Sequence, residues 1–83
     1  MEISKKVTWK PLREKVVAVK VETGEYYTMN EVASLIWKGI DSGMNQEQIA
    51  DKILDEYDIE DRAAILQDID EQISEWKTEL LIN

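Results

Sequence analysis

Neither cysteine nor histidine occurs among the 83 residues of this chain. Their absence removes disulfides, thiolate nucleophiles, imidazole general bases and the usual zinc ligands together. A protein that is not an enzyme, with no cofactor and no metal, is expected on that ground. Breakers are also scarce, one proline and three glycines, so each of them marks a boundary. Long hydrophobic runs are missing as well. After Met1-Glu2-Ile3-Ser4-Lys5-Lys6 no apolar stretch follows, and nothing approaches the roughly 20 residues that span a bilayer. The expectation is a soluble cytoplasmic protein with no membrane partner.

What is present suffices for one domain over residues 1–83, since 43% of the side chains are hydrophobic and can build a single modest core. The net charge of −8 is unevenly spread. Residues 1–20 hold six basic and two acidic side chains, a balance of +4, whereas the rest holds four basic and sixteen acidic, a balance of −12. Acids scattered on helix faces read first as a solvated surface. As a functional signal they favour a basic partner near the helices and repel nucleic acid.

The hydrophobic period changes once. Val7-Thr8-Trp9 and Val16-Val17-Ala18-Val19-Lys20-Val21 are β-branched runs, and after Asn30 every apolar pattern has the three-and-four spacing of a helix. Lys10-Pro11-Leu12-Arg13 interrupts the first strand pattern, because proline lacks a donor and restricts its predecessor, so a turn or a sheet-edge irregularity is expected there. A hairpin then runs from Val16 to Glu22, turns at Thr23-Gly24 and returns from Glu25 to Met29. Alternation puts Val17, Val19 and Val21 on one face, expected inward, and pairs Tyr27 with Met29 on a shared face.

Asn30 can cap the first helix, with Glu31 well placed in its first turn. Val32, Leu35, Ile36 and Ile40 make the expected buried stripe, flanked by Ala33 and Trp37, and Ser42-Gly43 ends the helix. Asn45 and Gln48 have capping-box spacing, and Met44 can staple onto Ile49. That second helix should reach about Tyr57, with Ile49, Ala50, Ile53, Leu54 and Tyr57 on its apolar face. The third runs to about Thr78, its stripe stepping through Leu66, Ile69, Ile73, Trp76 and Leu80 with Ile65 beside it. The fold class is α+β: a three-stranded antiparallel sheet followed by three helices, the parts of a winged helix-turn-helix.

That fold often reads DNA, but Asp61 to Glu79 carries six acids against two bases, the wrong sign for a phosphate-lined groove. Gly39-Ile40-Asp41-Ser42 resembles the attachment motif of acyl carrier proteins, which would make Ser42 the site of a phosphopantetheine arm. Ser42 precedes Gly43 at a helix end, though, so a C-terminal turn is the better account of it. Asp51, Asp55 and Asp58, or Asp68 with Glu71 and Glu75, share helix faces automatically and make poor metal sites.

The strongest resemblance runs from about Lys10 to Ile82. Tyr27-x-Met29-Asn30 entering the first helix, Ile36-Trp37 within it, Gly43 at its end, Ile49 to Tyr57, and then Ile69, Ile73, Trp76 and Leu80 together resemble the PqqD family. Met29 stands where the family usually has leucine, and the N-terminal hairpin is shorter than in many members. The resemblance implies a noncatalytic adaptor of ribosomally synthesised and modified peptides. Such a protein binds the leader of a precursor peptide and presents it to a modifying enzyme, commonly a radical S-adenosylmethionine protein.

Physics makes the role reasonable, because a last strand followed directly by a helix can leave its backbone groups open at an edge, where a peptide can add as a further strand. The expected groove lies between Glu25 to Met29 and the third helix. Glu25, Tyr26, Tyr27, Thr28 and Met29 make one wall, and Ile65, Asp68, Ile69, Gln72, Ile73 and Trp76 the other. Of these, Ile69, Ile73 and Trp76 read first as core, while Ile65, Asp68 and Gln72 form a groove-facing line with Asp68 available to a basic leader residue. The open edge equally permits a monomer or an edge-strand dimer.

Overall fold

β-Branched residues precede Asn30 and helix formers follow it, and the computed structural model, which describes residues 1–83, divides at that point. The strands are β1 (Val7–Leu12), β2 (Lys15–Lys20) and β3 (Tyr26–Thr28), and the helices are α1 (Glu31–Asp41), α2 (Gln46–Tyr57) and α3 (Arg62–Thr78). One antiparallel sheet contains the strands in the order β1-β2-β3. The α+β order expected from the sequence is the order observed.

The turn expected within Lys10 to Arg13 begins only at Arg13, and Pro11 itself does not interrupt the strand. β1 continues through it to Leu12, with Pro11 opposite Val16, and the chain turns instead at Arg13-Glu14 between the paired Leu12 and Lys15. The Val21 amide donates to the Lys6 carbonyl (2.9 Å), which sets the alternation so that the backbone nitrogen of Pro11 faces away from β2. An outward position on an edge strand needs no donor, so proline fits there.

The orientation of β2 also overturns an expectation. Val16 and Ala18 are the fully buried residues, whereas Val17 and Val19 are half-buried on the outer face and Val21 is 62% exposed. A period of two requires that one alternate set turn inward but does not say which. The choice follows from rows across the sheet. Trp9, Ala18 and Tyr27 lie opposite one another, and the small middle residue leaves room for the buried Trp37, which meets Trp9 edge-on at 6.2 Å and 80°.

Local signals place the helix ends. The Asn30 side chain accepts the Ala33 amide (2.8 Å), Asn45 and Gln48 form the reciprocal capping box, and Asp61 accepts the Ala64 amide (3.0 Å). Ser42 is the C-cap of α1, and Gly43 follows with φ 79°. The buried faces are rotated from those expected. On α1 the core residues are Ala33, Ile36, Trp37 and Ile40, while Val32 and Leu35 are half-buried, because rotating the helix brings the large indole of Trp37 between Trp9 and Trp76. On α2 the core takes Ile49, Ala50 and Ile53, and Tyr57 lies exposed with its hydroxyl donating to Glu31 Oε2 (3.2 Å).

On α3 the buried line is Ile65, Ile69, Ile73 and Trp76, with Leu66 half-buried. Leu80 falls outside the helix and is 72% exposed. There φ is +64°, the Leu80 amide donates to Lys77 and the Leu81 amide to Trp76, which together make a Schellman termination. Reversing the chain this way carries Leu81 and Ile82 into the core. Ile82 then bridges Ile3, and the Ser4 amide donates to Leu81 (2.9 Å), so the two ends of the chain close one side of the core. No helix is long and apolar enough to cross a membrane.

Candidate functional site

β3 is an edge strand, and its ladder bonds show which backbone groups it leaves open. The Glu25 carbonyl accepts the Lys20 amide (2.8 Å) and the Met29 amide donates to the Val16 carbonyl (3.0 Å), so Glu25, Tyr27 and Met29 turn their backbone toward β2. Alternation therefore points the amides and carbonyls of Tyr26 and Thr28 away from the sheet. That is a short row of donors and acceptors suited to one added strand.

A buried side chain anchors this edge where it becomes α1. The returning Val16 amide does not reach the Met29 carbonyl directly; it donates to Ser34 Oγ (2.8 Å), whose hydroxyl donates on to Met29 (3.3 Å). Ser34 is fully buried one turn into α1 and its own amide is satisfied by the Asn30 carbonyl (2.8 Å). The hydroxyl thus splices the ladder at the point where the strand must swing away to start a helix.

Between β3, the start of α1 and the C-terminal half of α3 lies a cavity of about 200 Å³. Tyr27, Thr28, Met29, Asn30 and Ala33 line one side, and Gln72, Glu75, Trp76 and Glu79 the other. Trp76 belongs to both groove and core, since it is 4% exposed and packs edge-on to Trp37 at 5.2 Å. Of the residues expected from sequence, the structure brings Tyr27, Thr28, Met29, Gln72 and Trp76 together here. Tyr26 and Glu25 stand beside them at the strand's start, Tyr26 71% exposed. Ile65, Ile69 and Ile73 lie in the core, which places Ile65 off the groove-facing line expected for it, and Asp68 is exposed one helical turn before Gln72, outside the cavity lining.

Four lining residues escaped the sequence reading: Asn30, Ala33, Glu75 and Glu79. The signal for the helical pair was available. Gln72, Glu75, Trp76 and Glu79 follow i, i+3, i+4 and i+7, a single stripe whose polar members flank an aromatic. Their electrostatics are one-sided. Glu75 and Glu79 sit at the C-terminal end of α3, where the helix dipole already places negative charge, and no basic side chain lines the cavity. A cation entering the groove would relieve both repulsions. Elsewhere, no group of three or more acidic side chains is disposed to hold a metal ion, and Asp51 instead pairs with Arg62.

Fold and site together define a winged α+β domain with an open strand edge beside an acidic helical wall. The match to the family model for coenzyme PQQ synthesis protein D covers residues 15–82, and the chain belongs to that PqqD family. Among solved structures it is similar to TbiB1 in complex with the TbiA(beta) leader peptide, with 29% identity and a TM-score of 0.92 over 100% of this chain and 95% of that one. A lasso peptide synthetase B1 complexed with its leader peptide shares the fold at TM-score 0.88 and 21% identity, covering 99% of this chain and 95% of that one. No curated protein matches the sequence.

Proposed function

We propose that this chain is a noncatalytic adaptor, a single peptide-recognition domain over residues 1–83 that binds the leader of a ribosomally made precursor and presents it to a modifying enzyme. The observation that carries the reading is the outward backbone of Tyr26 and Thr28 running beside the groove walled by Gln72, Glu75, Trp76 and Glu79. A leader segment adds to β3 as a fourth strand, gains main-chain hydrogen bonds there, and lays alternate side chains into the groove. Family membership and the leader peptides held by the two similar proteins support this. The protein acts in the cytoplasm, with no nucleic acid partner.

Selectivity comes from the groove. Trp76 and Met29 offer an apolar floor, and the Glu75 and Glu79 carboxylates favour a basic residue of the leader at the mouth. Each exposed pair contributes only about 0 to 1 kcal/mol, so most affinity comes from strand pairing and buried apolar contact. Titrating the labelled protein with the synthetic leader of its cognate precursor should shift Glu25 to Asn30 and Gln72 to Glu79 and slow exchange of the Tyr26 and Thr28 amides. Shifts confined to residues 1–20 would show that the leader binds elsewhere.

A further inference from the structure

The outer face of the sheet is covered by no layer of this chain, yet its composition is not that of a solvated face. An antiparallel sheet with one side in water normally turns polar residues outward. Here the outward positions at the centre are Val17 and Val19, half-buried only by their neighbours, and Val21 at the end of the strand is 62% exposed. Thr8, Lys10 and Leu12 on β1, Lys15 on β2, and Tyr26 and Thr28 on β3 complete the face, fixed by the pairs Thr8↔Val19, Lys10↔Val17, Leu12↔Lys15, Val19↔Tyr26 and Val17↔Thr28. Tyr26 is 71% exposed, so its ring also stands in solvent.

Charge supplies the second observation. In a chain of net charge −8, no strand residue on this face is acidic, and Lys10 and Lys15 lie on it, while Lys6 at its margin beside Val21 is paired with Glu22 (3.0 Å). A valine centre framed by lysines is complementary to an apolar patch rimmed by carboxylates. The leader groove lies against the inner edge of β3 and α3, so an occupant of the outer face and a leader can be held together.

We propose that the outer sheet face, centred on Val17 and Val19 and framed by Lys10 and Lys15, docks an apolar protein surface rimmed by acidic side chains. Given the adaptor reading, on which this assignment of the occupant rests, that surface belongs to the modifying enzyme. Burying the valines returns the hydrophobic stabilisation that their outward orientation forgoes, and the lysines orient the approach. An adaptor built this way uses its sheet edge for the peptide and its sheet face for the enzyme.

The test uses the full chain and a defined probe: a capped amphipathic helical peptide with a leucine stripe flanked by glutamates, and the same peptide with lysines in place of the glutamates. The acidic peptide should shift Thr8, Lys10, Val17 and Val19 and leave Gln72 to Glu79 unmoved, and the basic one should bind at least tenfold more weakly. Val17→Thr with Val19→Thr keeps strand propensity and should weaken the acidic peptide at least fivefold, and Lys10→Glu should do the same, each with leader binding unchanged. Equal binding of both peptides, or shifts centred on Gln72 to Glu79, would overturn the assignment. Concentration-dependent shifts at Val17 and Val19 without any peptide would overturn it too, by making a second copy the occupant through its own acidic helices. A leader titration on the same samples is read separately, so loss of the adaptor reading and loss of this one are distinguishable.

Discussion

Replacing Ser34 by alanine should cost about 2 kcal/mol of folding stability, because it deletes a buried hydroxyl that satisfies two backbone groups at once. The magnitude follows from what remains. The Val16 amide, in a residue with 0% exposure, loses its acceptor, while the Met29 carbonyl, in a residue 4% exposed, loses its donor. An unsatisfied buried donor is worth roughly 1–3 kcal/mol, and in a domain of this size each kcal/mol moves the melting point by roughly 4–8 °C. A fall of roughly 8–16 °C is therefore expected in thermal unfolding. Hydrogen exchange gives the local readout: the Val16 and Met29 amides should lose protection before the rest of the sheet, since the splice holds the end of β3. A loss below about 0.5 kcal/mol with the Val16 amide still protected would refute the reasoning, showing that strand and helix close directly on each other without the hydroxyl.

Three further perturbations test other parts of the structure. A Cβ on Gly39 would lie 2.6 Å from Ile49 Cγ1 and 3.1 Å from Cδ1, so Gly39→Ala should destabilise by about 1–2 kcal/mol in chemical denaturation despite alanine's better helix propensity; a stabilised variant would show that α1 and α2 can separate freely. Leu80 holds φ +64° with 72% of its surface exposed, so Leu80→Gly should stabilise by about 1 kcal/mol, and a loss on thermal unfolding would contradict the strain assignment. Partial removal from water, the hydrogen bond to Glu31 and the nearby carboxylates of Glu31, Glu56 and Glu14 raise the Tyr57 phenol above its ordinary value of 10.0. The folded state therefore holds that proton more tightly than the unfolded one, and the contribution is complete below pH 10 and lost as pH rises through the folded value. Tyr57→Phe should flatten the decline of stability as pH rises above about 10 relative to the parent, and parallel curves there would remove Tyr57 as its source.

Element order was legible because its signals are local. Asn30 and Asn45, read as caps, each accept an amide three residues on, as does Asp61, which was not singled out, and such bonds depend on nothing beyond one turn of chain. Gly43 ends α1 for an equally local reason, the left-handed backbone that glycine takes without strain. The proposed docking edge was visible in outline, since a strand that runs straight into Asn30 can leave one side free, and the order β1-β2-β3 is what puts β3 at the edge. Its helical wall was less so. Of the expected line Ile65, Asp68 and Gln72, only Gln72 lines the groove, which runs about two turns further along α3, because where a helix passes a strand depends on how the whole bundle packs.

What the sequence determined by itself is the succession of three strands and three helices, the caps of the first two helices, and the segregation of basic strands from acidic helices. Tertiary structure alone decided which valines of β2 turn inward, that Leu81 and Ile82 enter the core while Leu80 does not, and that Glu75 and Glu79 meet Tyr27 and Met29 across a groove. The physical reason is that alternation and helical period define faces only up to a rotation or a flip. The volumes that break the tie, Ala18 between Trp9 and Tyr27 and Trp37 between Trp9 and Trp76, come together only when distant parts of the chain do.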